Sequence, residues 1–219
     1  MKRFNIIVII LVLLFFAIGF YFYPQLPAKI ATHWNSKGNV NGYMPKAMGL
    51  FFLPVIVVGV SILFLIIPKI DPLKSNIKKF IKAYYSFVIV FIAFMMFVYI
   101  QMISWNLGFK VNPISFIGIP VGLLYIAIAY LIKSAKRNWF VGIRTPWTLS
   151  SDYVWEKTHA LGSKLFIVAG IFSIAGVFFI DYTYAILFII APIVAFSLFL
   201  VFYSYFVYSN EKKHKMEKV

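Results

Sequence analysis

Residues Phe4–Tyr23, FNIIVIILVLLFFAIGFYFY, decide the class of this chain. The run holds no charged side chain. Wound as a helix at about 1.5 Å per residue, it covers roughly the 30 Å of hydrocarbon in a bilayer. Lys2 and Arg3 in front of it give the positive start of a secretory signal, but its apolar run is longer than the roughly 7–15 residues of a signal core. It ends in Tyr21-Phe22-Tyr23-Pro24 rather than in a small-residue cleavage pattern, so the segment reads as an uncleaved anchor.

Five further runs of the same kind lie beyond it: Ala47–Ile67, Ala83–Trp105, Pro113–Ile132, Leu165–Ile180 and Thr183–Tyr208. Hydrophobic residues are 63% of the chain and charged ones 12%, against about half and roughly 25% in soluble domains. Mean hydropathy is +0.91. A globule of 219 residues has no interior large enough to hide this much apolar surface from water. None of the runs alternates with the period of two that a barrel strand needs, and helices are the other way to satisfy a backbone in lipid. The expected fold is therefore all-α: a polytopic membrane protein built as a six-helix transmembrane bundle. The fifth run is the shortest and is expected to borrow a turn from Gly162 to Lys164 or from Asp181 and Tyr182. The two halves expected are 1–67, a helix pair with an outer loop, and 68–219, four helices with an inner loop, packed as one structural domain.

Charge sets the orientation. Seventeen of the 21 lysines and arginines lie in the N-terminus, the 68–82 loop, the 133–164 loop and the C-terminal tail, leaving Lys29, Lys37, Lys46 and Lys110 for the other face. Basic residues collect on the cytoplasmic side, which places both termini inside. The same distribution accounts for the net charge of +15 without direct nucleic-acid binding, because anionic headgroups attract basic residues near the surface. The plasma membrane and its lipids are the expected setting. The chain has no cysteine, so disulfide and thiolate chemistry are excluded.

The spans lack Asp, Glu, Lys, Arg and His at mid-depth, where ion-coupled transporters and intramembrane enzymes keep ionisable groups. What they hold is mild: Ser61, Ser86, Gln101, Ser115, Ser173 and Ser197. Ala169 with Ser173, and Ala191 with Ala195, have the spacing for close helix contact, and Pro54, Pro120 and Pro192 are candidate kinks. Packing is the expected role. A transport path lined by Gln101, Ser86 or Ser115 is the alternative.

Two connections carry costly residue types. The outer one runs from Pro24 to Lys46 and holds His33, Trp34, Asn35, Gly38 and Gly42. Thr32, His33 and Trp34 suit an extended piece, while Ser36-Lys37-Gly38-Asn39 and Asn41-Gly42 are turn signals, so a small hairpin on the membrane surface fits. His33 has no Cys, Asp or Glu nearby to complete a metal shell, and Trp34 is an ordinary interface anchor.

The inner connection reads Asn138-Trp139-Phe140-Val141-Gly142-Ile143-Arg144-Thr145-Pro146-Trp147-Thr148-Leu149-Ser150. Pro146 biases Thr145 away from helix. Ser150-Ser151-Asp152 offers N-cap chemistry for a helix starting near Asp152, on which Trp155, His159 and Gly162 share a face. Trp139, Trp147 and Trp155 are expected at the headgroup level, with Arg144 reaching a phosphate or a carbonyl. Glu156 and His159 stand at i, i+3, the spacing of a carboxylate–histidine metal pair, but a di-metal bundle needs a second such pair and more carboxylates. A metal-dependent hydrolase is a third reading on that pair alone; no metal, cofactor or catalytic group is expected.

The run Gly142-Ile143-Arg144-Thr145-Pro146-Trp147-Thr148-Leu149, preceded by Asn138 and continued by Trp155, Thr158, His159 and Gly162, resembles the signature of the SdpI family of membrane proteins. The segment Leu26-Pro27 through His33-Trp34-Asn35, Gly38, Gly42-Tyr43 and Lys46 resembles the small domain of unknown function that commonly precedes it. The resemblance implies protection against a secreted toxic peptide. It also implies a receptor role, in which a cytoplasmic autorepressor is drawn to the membrane. It places the toxin at His33, Trp34, Asn35, Gly38 and Gly42. It places lipid or regulator at Asn138, Gly142, Arg144, Thr145, Pro146, Trp147, Thr148, Trp155, Thr158 and His159.

Overall fold

In the computed structural model, which describes residues 2–178 and 182–217, every apolar run is helical. The order is α1 (Lys2–Phe22), β1 (Lys29–Trp34), β2 (Val40–Pro45), α2 (Lys46–Ile70), α3 (Lys74–Lys79), α4 (Ile81–Asn106), α5 (Pro113–Ser134), α6 (Pro146–Ser150), α7 (Asp152–Ala175) and α8 (Tyr182–Met216). Six of these helices, α1, α2, α4, α5, α7 and α8, are long and apolar enough to cross a bilayer. An even number of crossings returns both termini to the same face.

The fifth crossing differs from the short run expected. The helix that Ser151 caps, its side chain accepting from Val154 N–H, does not stop before the span but continues through it to Ala175. The polar first half and the apolar second half are one rod, so Trp155 and His159 are built into a transmembrane helix. Ile180 and Asp181, where the sequence places the end of this crossing, lie outside the described residues, as does the side chain of Ser115.

Side chains sort by lipid and by partner. Ile10, Leu13, Leu63, Leu123, Leu198 and Phe202 are all exposed along helix surfaces, where only hydrocarbon can cover them. Inside, α1, α2 and α4 pack through Val8, Phe15, Val57, Val88, Ile92 and Tyr99, all essentially fully buried. The second cluster is α5, α7 and α8. Its tightest seam is glycine on glycine: a Cβ on Gly122 would stand 2.6 Å from the Gly170 carbonyl oxygen, and one on Gly170 would stand 2.8 Å from that of Gly122. Ser173 Oγ closes the seam by donating to the Gly118 carbonyl at 2.8 Å. Close backbone approach of this kind drives helix association where lipid removes the hydrophobic force. Ala169 and Ser173 are buried in this seam as expected, whereas Ala191 and Ala195 are exposed. Gln101 Nε2 donates to the Pro113 carbonyl at 3.1 Å, and Ser86 is exposed on the surface of α4 near its other end. These two residues do not converge on one path.

The outer connection is a hairpin that turns at Ser36-Lys37-Gly38-Asn39 as expected, whereas Asn41-Gly42, also expected to turn, lies inside β2 and pairs with β1. β1 and β2 pair antiparallel from Lys29 opposite Pro45 to Trp34 opposite Val40, with irregularities between Ala31 and His33 and between His33 and Trp34. Asn106, the last residue of α4, holds the hairpin down: its Oδ1 accepts from Ala31 N–H at 2.7 Å and its Nδ2 donates to the Ala31 carbonyl at 2.9 Å. Ile30 and Thr32 press on Gly49 of α2, where a Cβ would meet both within 3 Å.

The fold therefore has a hairpin face and a face carrying both termini, the 71–80 segment and residues 135–151. Since the chain has no cysteine, Lys37→Cys and Ser150→Cys provide unambiguous reporters of sidedness. A membrane-impermeant maleimide is expected to label Lys37→Cys in intact cells and Ser150→Cys only after permeabilisation. Labelling of both in intact cells refutes the arrangement.

Candidate functional site: the inner loop and the outer hairpin

Residues 135–151 leave the bundle as mostly irregular backbone, so their N–H and C=O groups need partners from elsewhere. Side chains supply them. Asn138, wholly buried, accepts from Phe140 N–H at 3.0 Å and Val141 N–H at 2.6 Å, and donates to the Lys136 and Val141 carbonyls. Between these, Trp139 N–H donates to Asp71 Oδ2 at 2.9 Å, while Asp71 Oδ1 accepts from Leu73 N–H at 2.6 Å. A second tie comes from Asn76, whose Nδ2 donates to the Arg137 carbonyl at 2.8 Å.

The chain then turns at Gly142, whose φ of +121° is a conformation that side chains with a Cβ rarely adopt. A Cβ there would also run into His159 Nε2 and the Trp155 ring. His159 uses both ring nitrogens. Nε2 accepts from Ile143 N–H at 3.0 Å, and Nδ1 lies 2.8 Å from the Trp155 carbonyl, to which it must donate. These two bonds fix a neutral imidazole with its proton on Nδ1. The ring also stacks on Trp155 at 4.0 Å between centroids, and Trp155 Nε1 donates to the Ala135 carbonyl at 2.8 Å.

Past Arg144 the loop becomes α6 through a reciprocal cap. Thr145 N–H donates to Thr148 Oγ1 at 2.9 Å and Thr148 N–H donates to Thr145 Oγ1 at 3.1 Å. Thr148 spends its own hydroxyl proton on the Ile143 carbonyl at 2.8 Å. Ser204 of α8 donates to the Val201 carbonyl, leaving Thr145 Oγ1 to donate to Ser204 Oγ at 3.0 Å. Pro146 takes the first helical position, where no N–H is needed, and Trp147 lies against Tyr205 at 5.1 Å. Ser151 Oγ donates to Glu211 at 2.6 Å, a second tie to α8.

The candidate residues of the inner loop thus divide by burial. Asn138, Thr145, Thr148, Trp155, Thr158 and His159 are buried, while Arg144 and Pro146 are exposed and Trp147 is half-buried. Of the three tryptophans expected to face headgroups, Trp155 is enclosed by protein, whereas Trp139 is exposed and Trp147 half-buried. Arg144 does reach a carbonyl, that of Trp139 at 2.6 Å. Its remaining N–H groups have no protein partner among the described residues. Glu156 and His159 diverge: Glu156 is exposed and pairs with Lys136 at 2.9 Å, and neither His159 nitrogen has a lone pair left for a metal. Thr158 Oγ1 is buried without a hydrogen-bond partner among the described residues.

On the opposite face, Asn35 Oδ1 accepts from Lys37 and Asn39 N–H groups at 3.0 Å each, forming the hairpin turn. Gly38 has φ +77° in that turn, and Asn112 occupies the space of a Cβ. Gly42 lies opposite His33, whose Cβ would stand 2.8 Å from a Cβ at position 42, and His33 Nδ1 meets Asn41 Oδ1 at 2.6 Å. Trp34 stands edge-on to Trp105 at 5.6 Å. Under the hairpin, Thr32, His33, Trp34, Phe52, Leu53 and Met102 line a mostly apolar cavity of about 380 Å³. Trp34 Nε1–H is buried with no partner among the described residues.

The sequence profile of the SdpI/YfhL protein family matches residues 134–205, the segment holding the inner loop, α7 and most of α8. Over that third of its length the chain is similar to the SdpI family. Residues 10–58, comprising most of α1, the hairpin and the first half of α2, match the domain of unknown function DUF1648. The immunity protein SdpI of Bacillus subtilis (strain 168) is 28% identical over 170 residues, spanning 78% of this chain and 79% of that relative. No solved structure matches the chain. This chain is accordingly a multi-pass membrane protein similar to an immunity protein.

Asp71 is a site residue that motif reading passes over. Its signal was present, since it is the sole acidic residue before Asp152 and stands in the most basic loop of the first half. Ser204 and Glu211 carried no local signal, because their partners are 59 and 60 residues away.

The Gly142–His159 contact can be tested by thermal unfolding in detergent. His159→Ala strands the Ile143 N–H and is expected to cost about 1–3 kcal/mol. Gly142→Ala lowers the midpoint too, whereas Arg144→Ala leaves it unchanged. Because removing the imidazole relieves the Cβ clash, the double variant is expected to lose less than the two single losses summed. A fully additive loss refutes the contact.

Proposed function

We propose that this chain protects the plasma membrane of its own cell against a secreted antimicrobial peptide, acting as an immunity protein that also signals. The similarity to the immunity protein SdpI over four-fifths of the chain carries this reading. Peptide recognition falls to the part spanning 1–67. There His33, Trp34, Asn35, Gly38 and Gly42 build the hairpin, and the cavity beneath it would receive an apolar segment of the peptide. Trp34 Nε1–H, buried without a partner among the described residues, is the donor available to a peptide carbonyl. The relay falls to 68–219, whose inner loop presents Arg144, Pro146, Trp147 and Trp139 to a cytoplasmic transcriptional repressor.

Helix α2 is the proposed link. Its first turns, through Gly49, Phe52 and Leu53, form a wall of the cavity, and its C-terminal cap is Asp71, which holds Trp139 N–H. A peptide that binds better to one position of α2 shifts the population of that position. The inner loop reports it through Asp71. Buried residues such as Asn138, Thr148, Thr158 and His159 keep the loop rigid enough to be read by a partner.

Toxin challenge of a host expressing the chain separates the two roles. Trp34→Phe keeps an aromatic ring and removes the donor. It is expected to lower the toxin dose that the host survives about tenfold, the equivalent of 1.4 kcal/mol of binding, at unchanged membrane abundance. Arg144→Ala is expected to preserve protection and abolish recruitment of a fluorescently tagged repressor. Full protection by Trp34→Phe together with lost protection in Arg144→Ala would reverse the assignment of faces.

A further inference from the structure

The inner ends of α1, α2, α3 and α4 enclose a second depression, of about 480 Å³, that neither the loop nor the hairpin uses. Its floor is apolar and aromatic: Phe4, Phe64, Leu65 and Tyr85 line it, with the Phe4 and Tyr85 rings stacked at 3.7 Å. Its rim carries Lys69, Lys74 and Lys78. Lys74 and Lys78 stand at i, i+4 on α3 and so share a face. Lys69 is in the last turn of α2. Phe64 is five residues earlier on the same helix, about 7.5 Å deeper into the bilayer.

From this arrangement we infer that the depression binds an anionic phospholipid of the inner leaflet, its phosphate among the three lysines and an acyl chain over the aromatic floor. Three like charges around one opening repel one another unless an anion sits between them. The protein supplies none: among the described residues these lysines make no salt bridge. The neighbouring acid, Asp71, already accepts from two backbone N–H groups. Lys2 and Arg3, just ahead of Phe4, add to the same positive field. A basic pocket between transmembrane helices on the cytoplasmic side is a site for lipid headgroups. An acidic soluble protein would match the charge, but it would leave the apolar floor uncovered, and a lipid satisfies both. The same end of α2 carries Asp71, so an occupied pocket braces the segment that holds the inner loop.

The test uses the full-length protein in detergent, with phosphatidylglycerol or phosphatidylcholine added, read by thermal shift and by lipid retention in native mass spectrometry. Phosphatidylglycerol is expected to raise the midpoint of the parent and to remain bound, and phosphatidylcholine is not. The variant Lys69→Ala/Lys74→Ala/Lys78→Ala is expected to bind phosphatidylglycerol at least about tenfold more weakly. Lys133→Ala/Lys212→Ala/Lys213→Ala, which removes the same charge from the same face, is expected to match the parent. If the pocket triple variant fails to fold, Lys74→Glu alone is expected to show the same selective loss. Equal losses in the pocket and control variants would mean diffuse attraction and overturn the site. Equal stabilisation by phosphatidylcholine, or displacement of phosphatidylglycerol by millimolar inorganic phosphate, would overturn the lipid assignment.

Discussion

A backbone that leaves a helix at the edge of a bilayer has to find a partner for every N–H and C=O that the helix would have satisfied. That constraint governs residues 135–151. Water reaches them on one side only, and the segment is not paired into a sheet. The partners are side chains brought from three other elements, Asp71 at the cap of α2, Asn76 on α3 and His159 on α7, while Ser204 on α8 holds the Thr145 hydroxyl. Each removes a polar group from the cost of burial. Together they turn an irregular loop into a surface with one shape. The buried part of the signature is thus architecture, built from matched donors and acceptors.

The same logic operates at the other face with fewer parts. A two-stranded hairpin is marginal in isolation, and this one is held at its base by Asn106, which satisfies both the N–H and the carbonyl of the buried Ala31, and at its turn by Asn112, which donates to the Lys37 carbonyl. Gly49 lets the hairpin approach α2 closely enough to roof a cavity. Helices α2 and α4 therefore each carry an attachment to the hairpin at one end and reach the opposite face at the other. Any event that moves the hairpin has two rigid levers on the inner side, and only α2 ends on the loop itself. This asymmetry places Asp71, which holds the loop, at the end of a helix whose other end meets the hairpin.

Much of this was legible in the chain before folding. The six crossings come from apolar runs alone, since a segment of twenty apolar residues has few stable alternatives to a spanning helix. The hairpin comes from turn residues at Ser36–Asn39, whereas Asn41-Gly42 lies within β2, and the start of α7 comes from Ser151, because caps and turns are local chemistry. The length of α7 was not legible. Its first half is too polar to register as a span, and only burial against α5 and α8 makes Trp155, Thr158 and His159 interior residues. The pairing of Gly122 with Gly170, and of Gly118 with Ser173, was equally hidden, since small residues announce a seam only once the facing helix is known.

By itself, then, the sequence determined the class, the number of crossings and the local turns and caps. Those properties depend on composition and on neighbours within a few residues. The tertiary structure alone decided which signature residues are presented and which are buried. It also decided that Asp71 clamps the loop and that His159 is a neutral acceptor rather than a ligand or base. The physical reason is that a hydrogen bond or a burial is a relation between two positions. Here the positions lie 68 residues apart for Asp71 and Trp139, and 16 apart for Ile143 and His159.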